Sequence, residues 1–408
     1  MKDKKVEQII KNEDARINAQ IPLIASENIV SQDVISAQAS SLINKYAEGS
    51  VGKRYYAGNK NFDEIEALAQ SRALNLFVPK KYQSNWEVNV QPLSGSPANL
   101  AIYSALLKPN DKILAMKLDS GGHLSHGHKM SLAGQLYNIC YYEVNKYSDK
   151  INYREVEEIA KKEKPKLIIA GASAYPREID FERFGQIAKS VGAKLLADIS
   201  HIAGLIVAGE HQNAIPFADV VMTTTHKTLR GPRGAIILAK KDIAQVINKA
   251  VFPGIQGGPH GNQIAAKAVA FYEAAKPAFK KYIKQVKKNA EVMAFEFSTA
   301  GYIVISGGTD THLVLIDVSH KKLNGKEVQE KLEGVGIIIN ANLIPYDTNS
   351  PMNPSGIRLG TAAITTLGAD EHWTRELAQL MIQFLANEVT DKETAKQVTK
   401  LRARLDKV

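Results

Sequence analysis

The sequence predicts an α/β chain in which a large domain on a mainly parallel sheet is followed by a smaller α+β domain. Three observations carry this. From about residue 95 to 240, short apolar runs alternate with amphipathic stretches of helical spacing, the pattern of strands joined by crossover helices. The runs are almost continuously apolar, as strands covered on both faces are. Beyond a Lys-rich helical stretch at roughly 262–298 the pattern changes, and apolar runs alternate with fewer helical segments.

Taken in order, ANLAIYSALL (98–107) has helical apolar spacing and leads into the strand KILAMK (112–117). The helix YREVEEIAKKEK precedes the strand KLIIAG (166–171), and FERFGQIAKSV precedes KLLAD (194–198). DVVMTT (219–224) and GAIILAK (234–240) complete the run of strands. Residues 262–298 read as one long helix; within it Phe279, Ile283 and Val286 share a face, which leaves the lysines of KPAFKKYIKQVKK on the solvated side. In the small domain YIVISGG, HLVLIDV and GIIIN read as strands, and KEVQEKLE and a stretch near 370–388 as helices. The expected divisions are an N-terminal helical arm at 1–45, a large domain at 46–275 and a small domain at 276–408. In sheets of this kind ligands bind beyond the carboxyl ends of the strands, so the residues just after each run are the candidates.

Composition narrows the function classes. With 44% hydrophobic and 23% charged residues the chain folds rather than staying disordered. Its single cysteine, Cys140, cannot pair internally, which excludes a disulfide scaffold or a cysteine metal cluster and points to a reducing compartment, the cytoplasm. Cys140 itself, in YNICYY, is expected to be a buried strand residue. No apolar stretch approaches the ~18 residues a membrane span requires, and the N-terminus is charged, so neither an anchor nor a signal peptide is expected. The net charge of +10 raises a nucleic-acid partner, but no RNA-recognition or zinc-finger signature accompanies it.

Five motifs carry candidate chemistry. TTTHKTLRGPRG (223–234) puts Lys227 just after a strand, where a desolvated amine could form a Schiff base; the competing reading is a surface lysine on a loop. LLADISHIAG ends a strand in Asp198, a carboxylate able to keep a pyridine nitrogen protonated, with His201 able to stack on the ring; a helix N-cap and a loop histidine are the alternatives. QPLSGSPANL places Ser94, Gly95 and Ser96 before a helix, a phosphate site or ordinary capping. GGHLSHGH gathers His123, His126 and His128, which share no single face, so stacking by His123 suits the pattern better than a metal. SGIRLGT sets Arg358 between glycines, to grip a carboxylate or form a structural ion pair.

Together with LIASEN (23–28), NKYAEGSVGKRYYAG (44–58), VFPGIQGGP (251–259) and SGGTDTHL, these motifs resemble serine hydroxymethyltransferase, in the family's order and spacing, from about residue 5 to 385. The resemblance implies an aspartate-aminotransferase-like fold of pyridoxal phosphate enzymes, with tetrahydrofolate as co-substrate and serine and glycine as the amino acids, in one-carbon metabolism and amino-acid biosynthesis. It implies Lys227 as the cofactor's amine, Asp198 as partner of the ring nitrogen, and His123 and His201 on the two ring faces. Gly95 and Ser96, joined by Gly257 and Gly258 from a neighbouring subunit, would hold the phosphate. Ser173, Thr224 and Arg233 complete the cofactor set, the last ordering the Lys227 loop. Catalytic positions would be Lys227, Asp198, Glu48, His226 and Tyr46. Arg358, Ser26 and Tyr56 would bind the amino acid. Glu48, Tyr55, Leu118, Gly122, His123, Leu124, Asn342 and Ser350, Pro351 and Met352 would line the folate site. Glu48, Tyr46 and Tyr56 would cross from the partner, so a homodimer with shared sites is implied. The family resemblance also allows a folate-independent aldolase side activity, and the nearest alternative is a threonine aldolase of the same fold. Asn59 stands where the family usually has cysteine.

Overall fold

The computed structural model describes residues 1–408. It divides into two compact units, Val30–Ser173 with Glu178–Lys281, and Met1–Ile29 and Ala174–Arg177 with Tyr282–Val408. The first contains a seven-stranded sheet of β1 (Trp86–Asn89), β2 (Lys112–Met116), β3 (Asn138–Tyr142), β4 (Leu167–Ala170), β5 (Lys194–Asp198), β6 (Val220–Thr224) and β7 (Ala235–Lys240). The order is β1-β7-β6-β5-β4-β2-β3. β7 runs antiparallel to β1 and β6, and every other pairing is parallel. β4 and β6 are buried at every position, which is why their sequences are continuously apolar.

The crossover helices begin and end where local chemistry directs. Asn152 and Asp180 cap Tyr153–Glu163 and Phe181–Val191 by accepting from first-turn amides, and Gly192 closes the second helix at φ 70°. β1 escapes the sequence pattern because it is short and only half apolar; its pairing with β7 makes it a strand.

Several expectations change. The long helix at 262–298 is two helices, Gly261–Ala274 and Pro277–Thr299. Pro277 lacks an amide hydrogen and so starts a helix rather than continuing one. Phe279, Ile283 and Val286 are buried as the spacing predicts. Cys140 is half-buried, since β3 is the outer strand of the sheet; its thiol lies 3.6 Å from Glu163 Oε2. GIIIN divides between two sheets, with Ile337–Ile338 pairing Ile21–Pro22 and Asn340–Asn342 pairing Gly356–Gly360.

The second unit is built on a four-stranded antiparallel sheet ordered Ile303–Val304, Leu313–Asp317, Gly356–Gly360, Asn340–Asn342. Its core joins Ile21 and Leu23 of the N-terminal segment to Met293, Phe297, Ile337 and Trp373. The N-terminal 29 residues therefore share a unit with 282–408, whereas the sequence set off residues 1–45 as an arm. The chain ends in a helix, Asp391–Arg402, whose Leu401 carbonyl accepts from the Trp373 indole at 3.0 Å. No helix is long and apolar enough to cross a membrane.

Candidate active site

β5 delivers Asp198 at its carboxyl end, 7% exposed. Oδ1 accepts from the Ser200 amide at 3.1 Å and hydroxyl at 2.6 Å. Oδ2 accepts from Asn99 Nδ2 at 3.1 Å and lies 2.8 Å from His126 Nε2. Burial pushes the Asp198 pKa up, but His126, through its hydrogen bond and field, together with Ser200 and Asn99, outweighs burial and holds the carboxyl well below the usual carboxylate range. Gly171, at the neighbouring end of β4, makes room for it: a Cβ there would sit 2.8 Å from Asp198 Cβ.

The three histidines of GGHLSHGH divide their tasks. His126 is buried against Asp198. His123 Nδ1 meets the Ser125 hydroxyl at 2.8 Å, and that hydroxyl accepts from Asn99, so a hydrogen-bonded chain runs from His123 to Asp198. His128 Nδ1 accepts from the Met130 amide at 3.3 Å. His126 stands within a histidine cluster in the sequence, and its partner Asp198 lies 72 positions away, beyond the reach of any local motif.

The helix Gly95–Leu106 starts without help from its cap, since the Ser94 side chain makes no capping hydrogen bond. Its first-turn amides therefore have no side-chain cap and point outward from a helix start, the geometry that suits an anion. The Thr224 hydroxyl at the end of β6 is buried with no hydrogen-bond partner, and a Cβ on Gly95 would lie 2.9 Å from Thr224 Cγ2. Ser200 Oγ accepts from the Thr224 amide at 3.1 Å, tying this cradle to Asp198. Ser96 is exposed beside it.

The loop after β6 closes on itself: the Thr225 amide donates to Gly234 O, the Gly231 amide to Thr225 O, and the Thr225 hydroxyl to Pro232 O at 2.6 Å. It presents Lys227 at 8% exposure. Thr228, which the sequence did not single out, donates its hydroxyl to the His201 carbonyl at 2.8 Å and so ties the loop to the end of β5. Burial, with the charges of Arg233 and Lys227, pushes His226 down to about 3, so its ring is neutral at physiological pH. Arg233 is exposed and His201 buried. The half-buried Ser173 donates its amide to Gly121 O at 2.7 Å. Gly122 packs so closely on the backbone of Met116 that a Cβ would come within 2.2 Å of its carbonyl oxygen. Leu118 is half-buried and Leu124 exposed.

A second group forms around the Gly49–Ser50/Lys53–Arg54 hairpin. Tyr46 Oη donates to Glu48 Oε1 at 3.3 Å, and the charge and hydrogen bond of Glu48 push the phenol pKa up. A Cβ at Gly257 would sit 3.5 Å from Glu48 Oε1, and one at Gly258 3.4 Å from the Tyr46 ring. Tyr46 and Tyr56 meet edge-on at 5.1 Å, and Asn59 Nδ2 donates to the Tyr56 carbonyl at 2.9 Å. These aromatics are open to solvent, with Tyr46, Tyr55 and Tyr56 at 55%, 76% and 49% exposure.

In the other unit Arg358 projects from the Gly356–Gly360 strand and donates Nε to Asn340 Oδ1 at 3.1 Å. Burial lowers its pKa to about 10, which leaves it charged at neutral pH. LIASEN is strapped to the end of this strand: the Gly360 amide donates to Leu23 O at 2.7 Å, and a Cβ on Gly360 would lie 2.3 Å from Ala25 Cα. Ser26 follows, half-buried. Asn342 is half-buried, and Ser350, Pro351 and Met352 lie exposed on a turn.

Residues 1–381 match the serine hydroxymethyltransferase family. The chain belongs to that family. A serine hydroxymethyltransferase of Leptospira biflexa is 50% identical over 383 residues, covering 94% of this chain and 91% of the relative. One of Coprothermobacter proteolyticus is 52% identical over 379 residues, covering 93% and 90%. Serine hydroxymethyltransferases use pyridoxal phosphate and tetrahydrofolate. The residues present fit that cofactor: an uncapped helix start and an unpartnered buried hydroxyl suit its phosphate, and an ionised buried carboxylate suits its ring nitrogen.

Proposed function

We propose that this chain transfers the hydroxymethyl group of serine to tetrahydrofolate, reversibly, giving glycine, 5,10-methylenetetrahydrofolate and water, with pyridoxal 5'-phosphate held in the larger unit and the work done in the cytoplasm. The observation that carries the reading is the buried Asp198, kept ionised by His126, Asn99 and Ser200. Bound there, the cofactor supplies an electron-withdrawing ring that accommodates the electron pair left when a bond to the amino acid's α-carbon breaks. Asp198 keeps a proton on the nitrogen beside it. Lys227 provides the amine that retains the cofactor, and the amides of Gly95 and Ser96 with the Thr224 hydroxyl hold its phosphate. His123 and His201 would contact the ring, Ser173 its phenolic oxygen, and Arg233 would order the lysine loop. His226, being neutral, adds no charge beside the Lys227 amine.

Arg358 takes the amino-acid carboxylate, with Ser26 beside it. Glu48 moves the proton at the departing hydroxymethyl oxygen, and Tyr46 orients it through the hydrogen bond to Oε1. Tyr55, Leu118, Gly122, Leu124, Asn342 and the Ser350 to Met352 turn serve folate. The exposure of Tyr46 and Tyr56 supports their delivery, with Glu48, Gly257 and Gly258, into the site of a second subunit.

The reading is tested by reconstitution. The purified protein with pyridoxal phosphate should show a visible absorbance band that Lys227→Ala loses, with turnover falling by at least about 10³-fold; a band retained through another lysine overturns the assignment. Tetrahydrofolate should accelerate exchange of the glycine α-proton, and indifference to it would favour the aldolase reading.

A further inference from the structure

Lys267 lies in the middle of the helix Gly261–Ala274 and is 1% exposed. Its Nζ is 2.7 Å from Val90 O, 3.0 Å from Pro92 O and 3.0 Å from Ala235 O. An ammonium has three hydrogens to donate, and each here meets one main-chain carbonyl. Burying a charge in this way is costly, and burial pulls the Lys267 pKa down to about 7 while the field of Glu66 opposes it. Plain packing at this position would be served by an apolar side chain, so the amine has work that only a multiple donor can do.

What it joins is specific. Val90 and Pro92 lie between β1 and the helix start at Gly95, the proposed phosphate cradle. Ala235 opens β7 directly after the loop that carries Lys227. Two glycines of that loop are shaped by the same helix: a Cβ on Gly234 would lie 2.5 Å from Lys267 Cε, and one on Gly231 2.9 Å from Ala270 Cβ. The GPRG turn therefore carries glycine where the Lys267 stem and the next helical turn press against it. Thr225 closes the loop internally, and Lys267 links it outward to the segment before Gly95.

We propose that Lys267 is a positioning residue that sets the spacing between the phosphate cradle and the Lys227 loop, so that the cofactor's two points of attachment are held at matched distance. This rests on the cofactor reading above. A residue that matches two attachments matters only while both exist, and a double-mutant cycle detects that.

Pyridoxal phosphate affinity is measured by fluorescence titration of the apoprotein for the wild type, Lys267→Met, Lys227→Ala and the double variant. Lys267→Met should weaken binding about tenfold or more in the wild-type background, and about twofold or less in the Lys227→Ala background. An equal loss in both backgrounds, or none in either, overturns the proposal, whereas a wild type that binds no pyridoxal phosphate overturns the cofactor reading instead. Should Lys267→Met not fold, Gly234→Ala, which presses on the same stem, replaces it in the cycle with the same expectation and the same overturning result.

Discussion

Asp198 remains charged in a buried setting because four hydrogen-bonding contacts converge on its two oxygens. His226 shows the opposite balance. With burial and two neighbouring cations against it, its pKa falls to about 3 from the ordinary 6.5. The unfolded chain therefore takes up a proton at this residue near pH 6.5, and the folded chain does so only near 3, so stability falls as pH drops below the unfolded value. The unfolding temperature of the wild type should decline more between about pH 7 and about pH 5 than that of His226→Asn, compared by calorimetry across that range; parallel declines would contradict it. Asp198 and Lys227 were readable as candidates because each follows an apolar run at a strand's end. His126 and Asn99 were not, because what makes them matter is a pairing between residues far apart in the chain.

The element that presents Glu48 is a two-residue-per-strand hairpin, too short to hold its shape alone. Arg54 holds it. Nη1 donates to the carbonyls on both sides of Glu48, Ala47 O at 3.0 Å and Gly49 O at 2.8 Å, while Nε and Nη2 pair with Asp63 at 2.8 Å and Glu66 at 2.5 Å on the following helix. Gln91 bridges Gly49 O and the other Glu66 oxygen. The side chains of Arg54 and Glu66 are 4% and 1% exposed, so removing one partner strands a buried charge. Arg54→Met should cost about 3–5 kcal/mol in urea unfolding, and adding Glu66→Gln should recover part of it; a double variant less stable than the single would show that the pair does not act as a unit. The KRYY motif displayed this arginine without its partners. Likewise the single helix expected at 262–298 overlooked what Pro277 does to its own first turn, and GIIIN gave no sign that its halves enter different sheets.

At the scale of the whole molecule, the proposed sharing of the site between two subunits makes a prediction that no single chain can mimic. Lys227→Ala and Glu48→Gln should each be inactive as purified homodimers. Mixed under conditions that exchange subunits, they should form hybrids in which one site carries both defects and the other neither, restoring about a quarter of wild-type turnover. A mixture as inactive as its parts would place Glu48 and Lys227 in the same subunit's site. The strands of the central sheet were legible from the sequence alone because burial on both faces writes itself as continuous apolar runs, and the strand-end residues proposed to carry chemistry follow from that pattern. The sequence by itself also determined the family, through motifs whose order and spacing survive without any knowledge of contacts. Only the tertiary structure decided which groups support them: His126 behind Asp198, Arg54 around Glu48, Lys267 between two loops, and the N-terminal strand within the second unit. Those are hydrogen bonds and pairings closed between distant segments, and local periodicity carries no record of a partner that only folding brings near.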